Sequence, residues 1–305
     1  MKVLVTGSNG FVARYLLQGF LSDGVQTIGI DVASDSAYPL VRYHRCDLAD
    51  AAAIRQILDS ERPDAIVHLA AVSSVGRSWH MPVETFLNNT NIFLNLVEAV
   101  RVLGLHSRIL SVGSSEEYGN VPEADMPLRE THQLYPCSPY AVARVSQEQL
   151  SRLYVSGYGL DIVMTRSFNQ TGPGQRPDFF VPSMIKQIYD AARIGGSVEI
   201  VAGDLSIVRD FLDVRDAVSA YRVLLDRGIS GEVYNICSGI GRSLRNVVDM
   251  LARQLGIDIV VKEDPSRFRP ADNQVIVGDN VKLRNLGWMP VHDFGDTLRE
   301  MLDQR

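Results

Sequence analysis

Lys2-Val-Leu-Val-Thr-Gly-Ser-Asn-Gly-Phe-Val-Ala13 is an apolar run of strand length that meets two glycines and passes at once into a helical pattern beginning near Phe11. Residues in that order describe a cradle for a phosphate. Gly7 lets the chain leave the strand sharply, Gly10 lets an anion approach the backbone, and the first free N–H groups of the helix point at it. A second apolar run at 27–30 ends in Asp31, about twenty residues beyond the turn, where a carboxylate can accept from the hydroxyls of an adenosine ribose. The spacing predicts a dinucleotide-binding βαβ unit. Asp31 predicts NAD(H) rather than NADP(H), because a carboxylate there accepts from a free 2′-hydroxyl and repels a 2′-phosphate.

Outward from that unit the texture repeats. Short apolar runs at 65–69, 108–112 and 161–166 alternate with helical periods, which specifies an α/β fold with a doubly wound parallel sheet of the Rossmann type and ligands along its carboxyl edge. After Phe168 the crowding of Gly172, Pro173, Gly174, Pro177 and Pro182 marks a departure from the sheet. The chain returns for a helix within 211–225 and a strand at 232–237, and finishes in a helix at about 243–255 and a Pro-containing tail. Residues 1–168 with 208–238 are expected to form the dinucleotide-binding domain, and 169–207 with 239–305 a smaller, mostly C-terminal lobe for substrate. The helical stretch 83–103 is apolar nearly all round (Phe86, Leu87, Ile92, Phe93, Leu96, Val100), so one face needs a cover beyond its own sheet, and a homodimer is expected.

Composition narrows the function classes. A chain of 305 residues, 46% hydrophobic and 22% charged, can bury one large core or two modest ones. Its net charge of −6, with no block of lysine or arginine, argues against a nucleic-acid partner. Cys46, Cys137 and Cys237 are odd in number and far apart, with no histidine nearby, which supports neither a disulfide framework nor a zinc site. No metal is expected. The longest apolar run, 65–72, is broken by His68 and falls far short of the roughly 20 residues a bilayer requires, so no membrane partner is expected. Met1 leads straight into a core strand, and a cytoplasmic location is expected.

Two further stretches carry chemistry. Ser111-Val-Gly-Ser-Ser-Glu-Glu-Tyr-Gly119 lies just past a strand end, and Tyr140-Ala-Val-Ala-Arg144 opens a helix after Pro136 and Pro139. Tyr140 and Arg144, four apart, share a helix face, and a fixed cation beside a phenol favours phenolate. A phenol so placed can give a proton to a carbonyl oxygen while a nicotinamide delivers hydride to the carbon, with Ser114 holding the same oxygen.

The cradle at 6–12, Asp47-Leu48, His68-Leu-Ala-Ala71, Ser114, Tyr140, Arg166-Ser-Phe-Asn169 with Gly172-Pro173, and Arg209-Asp-Phe-Leu-Asp213 follow one another over essentially the whole length. In that order they resemble the extended short-chain dehydrogenase/reductases, the NAD-dependent epimerase/dehydratase family of nucleotide-sugar enzymes. Within that family the runs Gly113-Ser-Ser-Glu-Glu-Tyr-Gly119, Phe168-Asn-Gln-Thr-Gly-Pro-Gly-Gln175, Val233-Tyr-Asn-Ile-Cys-Ser-Gly239 and Arg269-Pro-Ala-Asp272 are most similar to the GDP-6-deoxy-4-keto-D-mannose reductases, which form GDP-D-rhamnose. GDP-mannose 4,6-dehydratases are the nearest cousins.

The resemblance implies NAD(P)H-dependent reduction of a GDP-linked 4-keto-6-deoxyhexose, with Ser114, Tyr140, Arg144 and Glu116 as the catalytic candidates. It implies a cofactor held by Gly7, Asn9, Gly10, Phe11, Val12 and Asp31, with Asp47 and Leu48 by the adenine, Leu69, Ala70 and Ala71 beneath, and Tyr140 and Arg144 at the reactive end. It implies a sugar nucleotide held by Ser74, Ser115, Asn169, Val181, Arg209, Arg269 and Asp272. Arginine forks match diphosphate oxygens and a carboxylate accepts from ribose hydroxyls, although an ion pair with Asp210 or Asp213 is the alternative use of Arg209.

Arg144 departs from the family, which has lysine there, and the two cations differ because guanidinium is planar, bulkier and never neutral. Asp31 departs from those members that prefer NADPH. Glu116 occupies the loop where a 4,6-elimination needs its base, or else it anchors that loop. An NAD-retaining nucleotide-sugar 4-epimerase or 4,6-dehydratase is therefore the alternative enzyme, and a non-catalytic dinucleotide-binding protein is the alternative of another class.

Overall fold

The alternating runs become a seven-stranded sheet in the computed structural model, which describes residues 1–194, 198–268 and 273–304. Its strands are β1 (Lys2–Thr6), β2 (Gln26–Asp31), β3 (Arg42–Arg45), β4 (Ala65–His68), β5 (Arg108–Ser114) and β6 (Ile162–Ser167). After β7 (Asn169–Thr171), β8 (Val198–Ala202) and β9 (Val208–Asp213), which lie elsewhere, β10 (Val233–Ile236) completes it. The order is β3-β2-β1-β4-β5-β6-β10 and every neighbouring pair is parallel. The order in which strands are added reverses between β1 and β4, and a crevice for ligands opens at the carboxyl ends on either side of such a point.

Helices cover both faces, which is why the inner strands are continuously apolar rather than alternating. On one side α1 (Phe11–Ser22) and α7 (Val214–Arg227) press Leu16, Leu17, Tyr221 and Leu224 onto Val3, Val5 and Val67. On the other, α2 (Ala51–Glu61) and α4 (Pro82–Val102), with the short α3 (Val75–His80) before it, are joined by α5 (Pro139–Tyr158). Their Ile54, Leu58, Phe93, Leu96 and Tyr154 bury Leu4, Ile28 and Ile66. Ser138 caps α5 by accepting from the Ala141 N–H, Pro139 occupies its first turn, and Gly159 ends it in the left-handed region, so the position of Tyr140 is set by local sequence. Strand β3, Arg-Tyr-His-Arg, is a half-exposed edge with no apolar period to betray it.

The remaining elements form a second unit. Helices α6 (Phe180–Ile194), α8 (Leu244–Leu255) and α10 (Phe294–Asp303) pack Met184, Ile188, Val248, Leu251 and Leu298 together beside a two-stranded sheet of β8. Its partner strand follows β11 (Gly241–Ser243) and is β12 (Ile259–Glu263). Strand β9 is flanked by β7, β11 and β13 (Val275–Ile276), and α9 (Val281–Arg284) follows. Buried Asp210 on β9 accepts from the Ser238 N–H at 2.8 Å, the Ser238 hydroxyl at 2.7 Å and the Gly239 N–H at 2.9 Å, tying this small sheet to the exit of β10. No helix among the described residues is long and apolar enough to cross a membrane.

Candidate active site

Gly7 has φ +67°, and a Cβ on it would lie 2.9 Å from Ala70 Cα, so the β1–α1 turn and the strand exit at 69–71 close on one another at the switch point. Thr6 Oγ1 lies 3.0 Å from His68 Nδ1 and accepts from the Ala70 N–H at 3.2 Å. Burial first, and the nearby Arg144 cation second, push His68 down to about 3, so the imidazole under this junction is neutral. Helix α1 starts at Gly10 with no capping side chain, which leaves its first-turn N–H groups for an anion. Phe11 and Val12 pack their side chains on the sheet core behind the turn.

Asp31 ends β2 beside that turn. Its Oδ2 accepts from the Asn9 N–H at 3.0 Å and its Oδ1 from the Ala33 N–H at 3.3 Å. Asn9 also donates to the Asp35 carbonyl and accepts from the Ala37 N–H, each at 2.9 Å, folding the loop after β2 over the glycines. Asp47 accepts from the Ala49 N–H at 2.9 Å, next to buried Leu48. Leu69, Ala70 and Ala71 are half-buried at the crevice floor. The cradle, the carboxylate and the uncapped helix therefore suit a dinucleotide.

Tyr140 and Arg144 are buried on α5, with Arg144 Nε donating to Tyr140 Oη at 3.2 Å. Arg144 Nη1 donates to the Val112 carbonyl at 3.1 Å and to Gln147 Oε1 at 2.6 Å, which fastens α5 to β5 two residues ahead of Ser114. Ser114, the last residue of β5, caps the turn Ser115–Tyr118: its Oγ accepts from the Glu116 N–H at 3.2 Å, which leaves its own O–H free to donate. Ser115 is buried and Glu116 half-buried in that turn.

Glu117, which the sequence reading passed over for Glu116, turns inward. Its Oε1 accepts from the Ser114 N–H at 2.7 Å, and Gly113 makes the room, since a Cβ there would lie 2.3 Å from that oxygen. Arg166 binds Glu148 through two bonds of 2.9 Å and lies 4.0 Å from Glu117 Oε2. Complete burial, then the Glu148 carboxylate, push Glu117 up to about 8. Burial would raise Glu148 too, but the Arg166 fork outweighs it and holds Glu148 below the usual range. Helix period shows only the pair of Glu148 with Arg152 four residues on, and the cluster itself had no sequence signal because Glu117, Glu148 and Arg166 come from three separate elements.

The substrate candidates are spread along the crevice and the second unit. Ser74 caps α3 by accepting from the Arg77 N–H at 3.2 Å, and Asn169 is half-buried in β7. Val181 is sealed in the core beneath α6, where it offers no surface to a ligand. Arg209 is buried, with Nη1 donating to the carbonyls of Val208 at 3.0 Å and Asn273 at 2.7 Å. Arg269 and Asp272 lie outside the described residues. Among the described residues no cluster of His, Cys, Asp and Glu is placed to hold a metal ion.

A phenol in contact with a fixed guanidinium, on a helix anchored to the strand that carries the serine, in a doubly wound sheet with a glycine turn after β1, marks an oxidoreductase of the extended short-chain dehydrogenase/reductase type. More narrowly, the chain belongs to the family described as GDP-mannose 4,6 dehydratase, whose model matches residues 4–301. It is 32% identical over 303 residues to a GDP-6-deoxy-D-mannose reductase of Pseudomonas aeruginosa, covering 99% of this chain and 96% of that one. Among solved structures it resembles RMD from Pseudomonas aeruginosa complexed with NADPH, with a TM-score of 0.88 at 30% identity over 99% of this chain and 98% of that one. The UDP-glucose 4-epimerase of Thermus thermophilus complexed with NAD gives 0.90 at 30% identity over 100% and 98%.

Proposed function

We propose that this protein reduces a GDP-linked 4-keto-6-deoxyhexose to the 4-hydroxy sugar, and that it does so with NADH. When bound, the nicotinamide supplies a hydride to the keto carbon. Tyr140 gives its phenolic proton to the keto oxygen, so that one hydride and one proton convert the carbonyl to an alcohol. Ser114 donates its free O–H to the same oxygen. Arg144 cannot lose its charge, so it stabilises the phenolate left behind until solvent returns the proton. The observation that carries this reading is the 3.2 Å bond from Arg144 to Tyr140 at the crevice edge.

Asp31 supports NADH, since its carboxylate stands beside the cradle where a 2′-phosphate would be repelled. The base is assigned as guanine through the reductase relative, and the residues assigned above to cofactor and sugar are carried over with it. Helices α4 and α5 support a homodimer, because Val83 is 69%, Leu87 51% and Val142 41% exposed around an apolar groove that also includes Trp79 and Phe86. A cytoplasmic setting suits the two buried free thiols, Cys46 and Cys237.

Purified protein given GDP-4-keto-6-deoxymannose should oxidise one NADH per sugar reduced. Glu116, in the turn after Ser114, favours a second reading as an NAD-retaining epimerase or dehydratase. Product formed from a nucleotide sugar without net NADH consumption would establish that reading and exclude the first.

A further inference from the structure

Arginine brings a planar fork of donors to a place where lysine brings a point charge, so something must set the angle of that plane. Nε reaches the phenol at 3.2 Å, and Nη1 divides between the Val112 carbonyl at 3.1 Å and Gln147 Oε1 at 2.6 Å. Nη2 has no hydrogen-bond partner among the described residues. Gln147 lies one helical turn beyond Arg144, is 1% exposed, and is none of the residues assigned above to phenol, cofactor or sugar.

Its amide can point only one way. Nε2 is 3.2 Å from the Val112 carbonyl and 2.9 Å from Ser111 Oγ. A carbonyl only accepts, so the NH2 end must face it, and Oε1 is left for a guanidinium that only donates. Behind the amide, the Ser111 and Ser151 hydroxyls are 3.1 Å apart and Ser151 donates to the Gln147 main-chain carbonyl at 2.9 Å. Ser111 is 2% and Ser151 0% exposed, so no water competes for these bonds.

We propose that Gln147 is a positioning residue that exists for the arginine at 144. Its fixed carbonyl holds the guanidinium plane so that Nε meets Tyr140 Oη and Nη2 is left for a ligand hydroxyl. A lysine ammonium ends about one bond short of Nη1 and has no plane to be set, so this support is specific to arginine. The inference rests on the reductase reading for what Tyr140 and Arg144 do, and on geometry alone for what holds them.

The test is a double-mutant cycle between Gln147→Met and Arg144→Lys. With Arg144 present, Gln147→Met should lower kcat about tenfold, the size of a small misalignment at a reacting pair, while KM for the sugar nucleotide moves less than about twofold. On the Arg144→Lys protein the same substitution should cost no more than about twofold in kcat. Dissociation constants for NADH, read by fluorescence without substrate, should follow the same pattern: weaker binding with Arg144, little change with Arg144→Lys. Ser111→Ala, which removes one acceptor behind the amide and little bulk, guards against a folding defect and should lower kcat about threefold while the thermal midpoint falls by no more than a few degrees. Equal losses in both backgrounds, or none with Arg144 present, overturn the proposal. If the native protein turns over no 4-keto sugar, the reductase reading falls, and the NADH constants alone then decide the role of Gln147.

Discussion

At the residue scale the site depends on Arg144. Its 3.2 Å bond to the phenol needs a positive charge in place, but the charge need not be planar. Arg144→Lys should therefore retain or raise turnover, and Arg144→Met should lose on the order of a hundredfold in kcat. Steady-state NADH oxidation decides it, and an Arg144→Met protein as fast as its parent removes arginine from the chemistry. Asp31 is the second such residue. Asp31→Ser should shift the NADPH-to-NADH affinity ratio about tenfold toward NADPH, the equivalent of removing roughly 1.4 kcal/mol of repulsion. Tighter NADPH than NADH binding by the native protein would contradict the proposed contact. Both residues were legible in the sequence, one from its helical spacing to Tyr140 and the other from its distance after the glycines. Gln147 was not, because a neutral amide in a helix has no charge pattern, and its meaning lies in Ser111 and Val112 on another element.

At the element scale the turn after β5 carries the clearest pH dependence. Folded, Glu117 keeps its proton to about 8, whereas its ordinary value is 4.5. Between those values the unfolded chain binds fewer protons than the folded one, so stability is fully present below 4.5 and falls as pH rises through 8. The slope approaches about 1.4 kcal/mol per pH unit at most. His68 acts in the opposite sense, its neutral form stabilising above its ordinary 6.5 and that contribution being lost as pH falls toward 3. The interval from 6.5 to 8 therefore isolates Glu117. Urea unfolding at the two ends of that interval should show the native protein losing stability and Glu117→Gln losing much less. Parallel losses would mean that the folded carboxyl is already ionised. Sequence alone could not choose between the adjacent acids Glu116 and Glu117, because the inward turn of the second depends on space left by Gly113.

At the scale of the whole molecule, the parallel sheet was legible because both of its faces are covered and its inner strands are unbroken apolar runs. The edge strand β3 was not, being polar, and neither were the partners of β9, since strands of two or three residues have no period to read. Assembly belongs at this scale too. If α4 and α5 are shared with a second copy, Leu87→Arg should convert a dimer to a monomer in sedimentation analysis while leaving the thermal midpoint within a few degrees, because Leu87 is 51% exposed in the single chain. A native protein that sediments as a monomer would set the dimer aside.

Strand β10 reaches the sheet only after β7, β8, β9 and α7 have been made, yet it pairs with β6 along Met164–Ser167. A nascent chain halted before residue 233 therefore carries a bare row of Met-Thr-Arg-Ser backbone donors and acceptors, open to any passing strand. Copies truncated before that point should be aggregation-prone, because the edge of the nucleotide half stays open until β10 is there to pair with it.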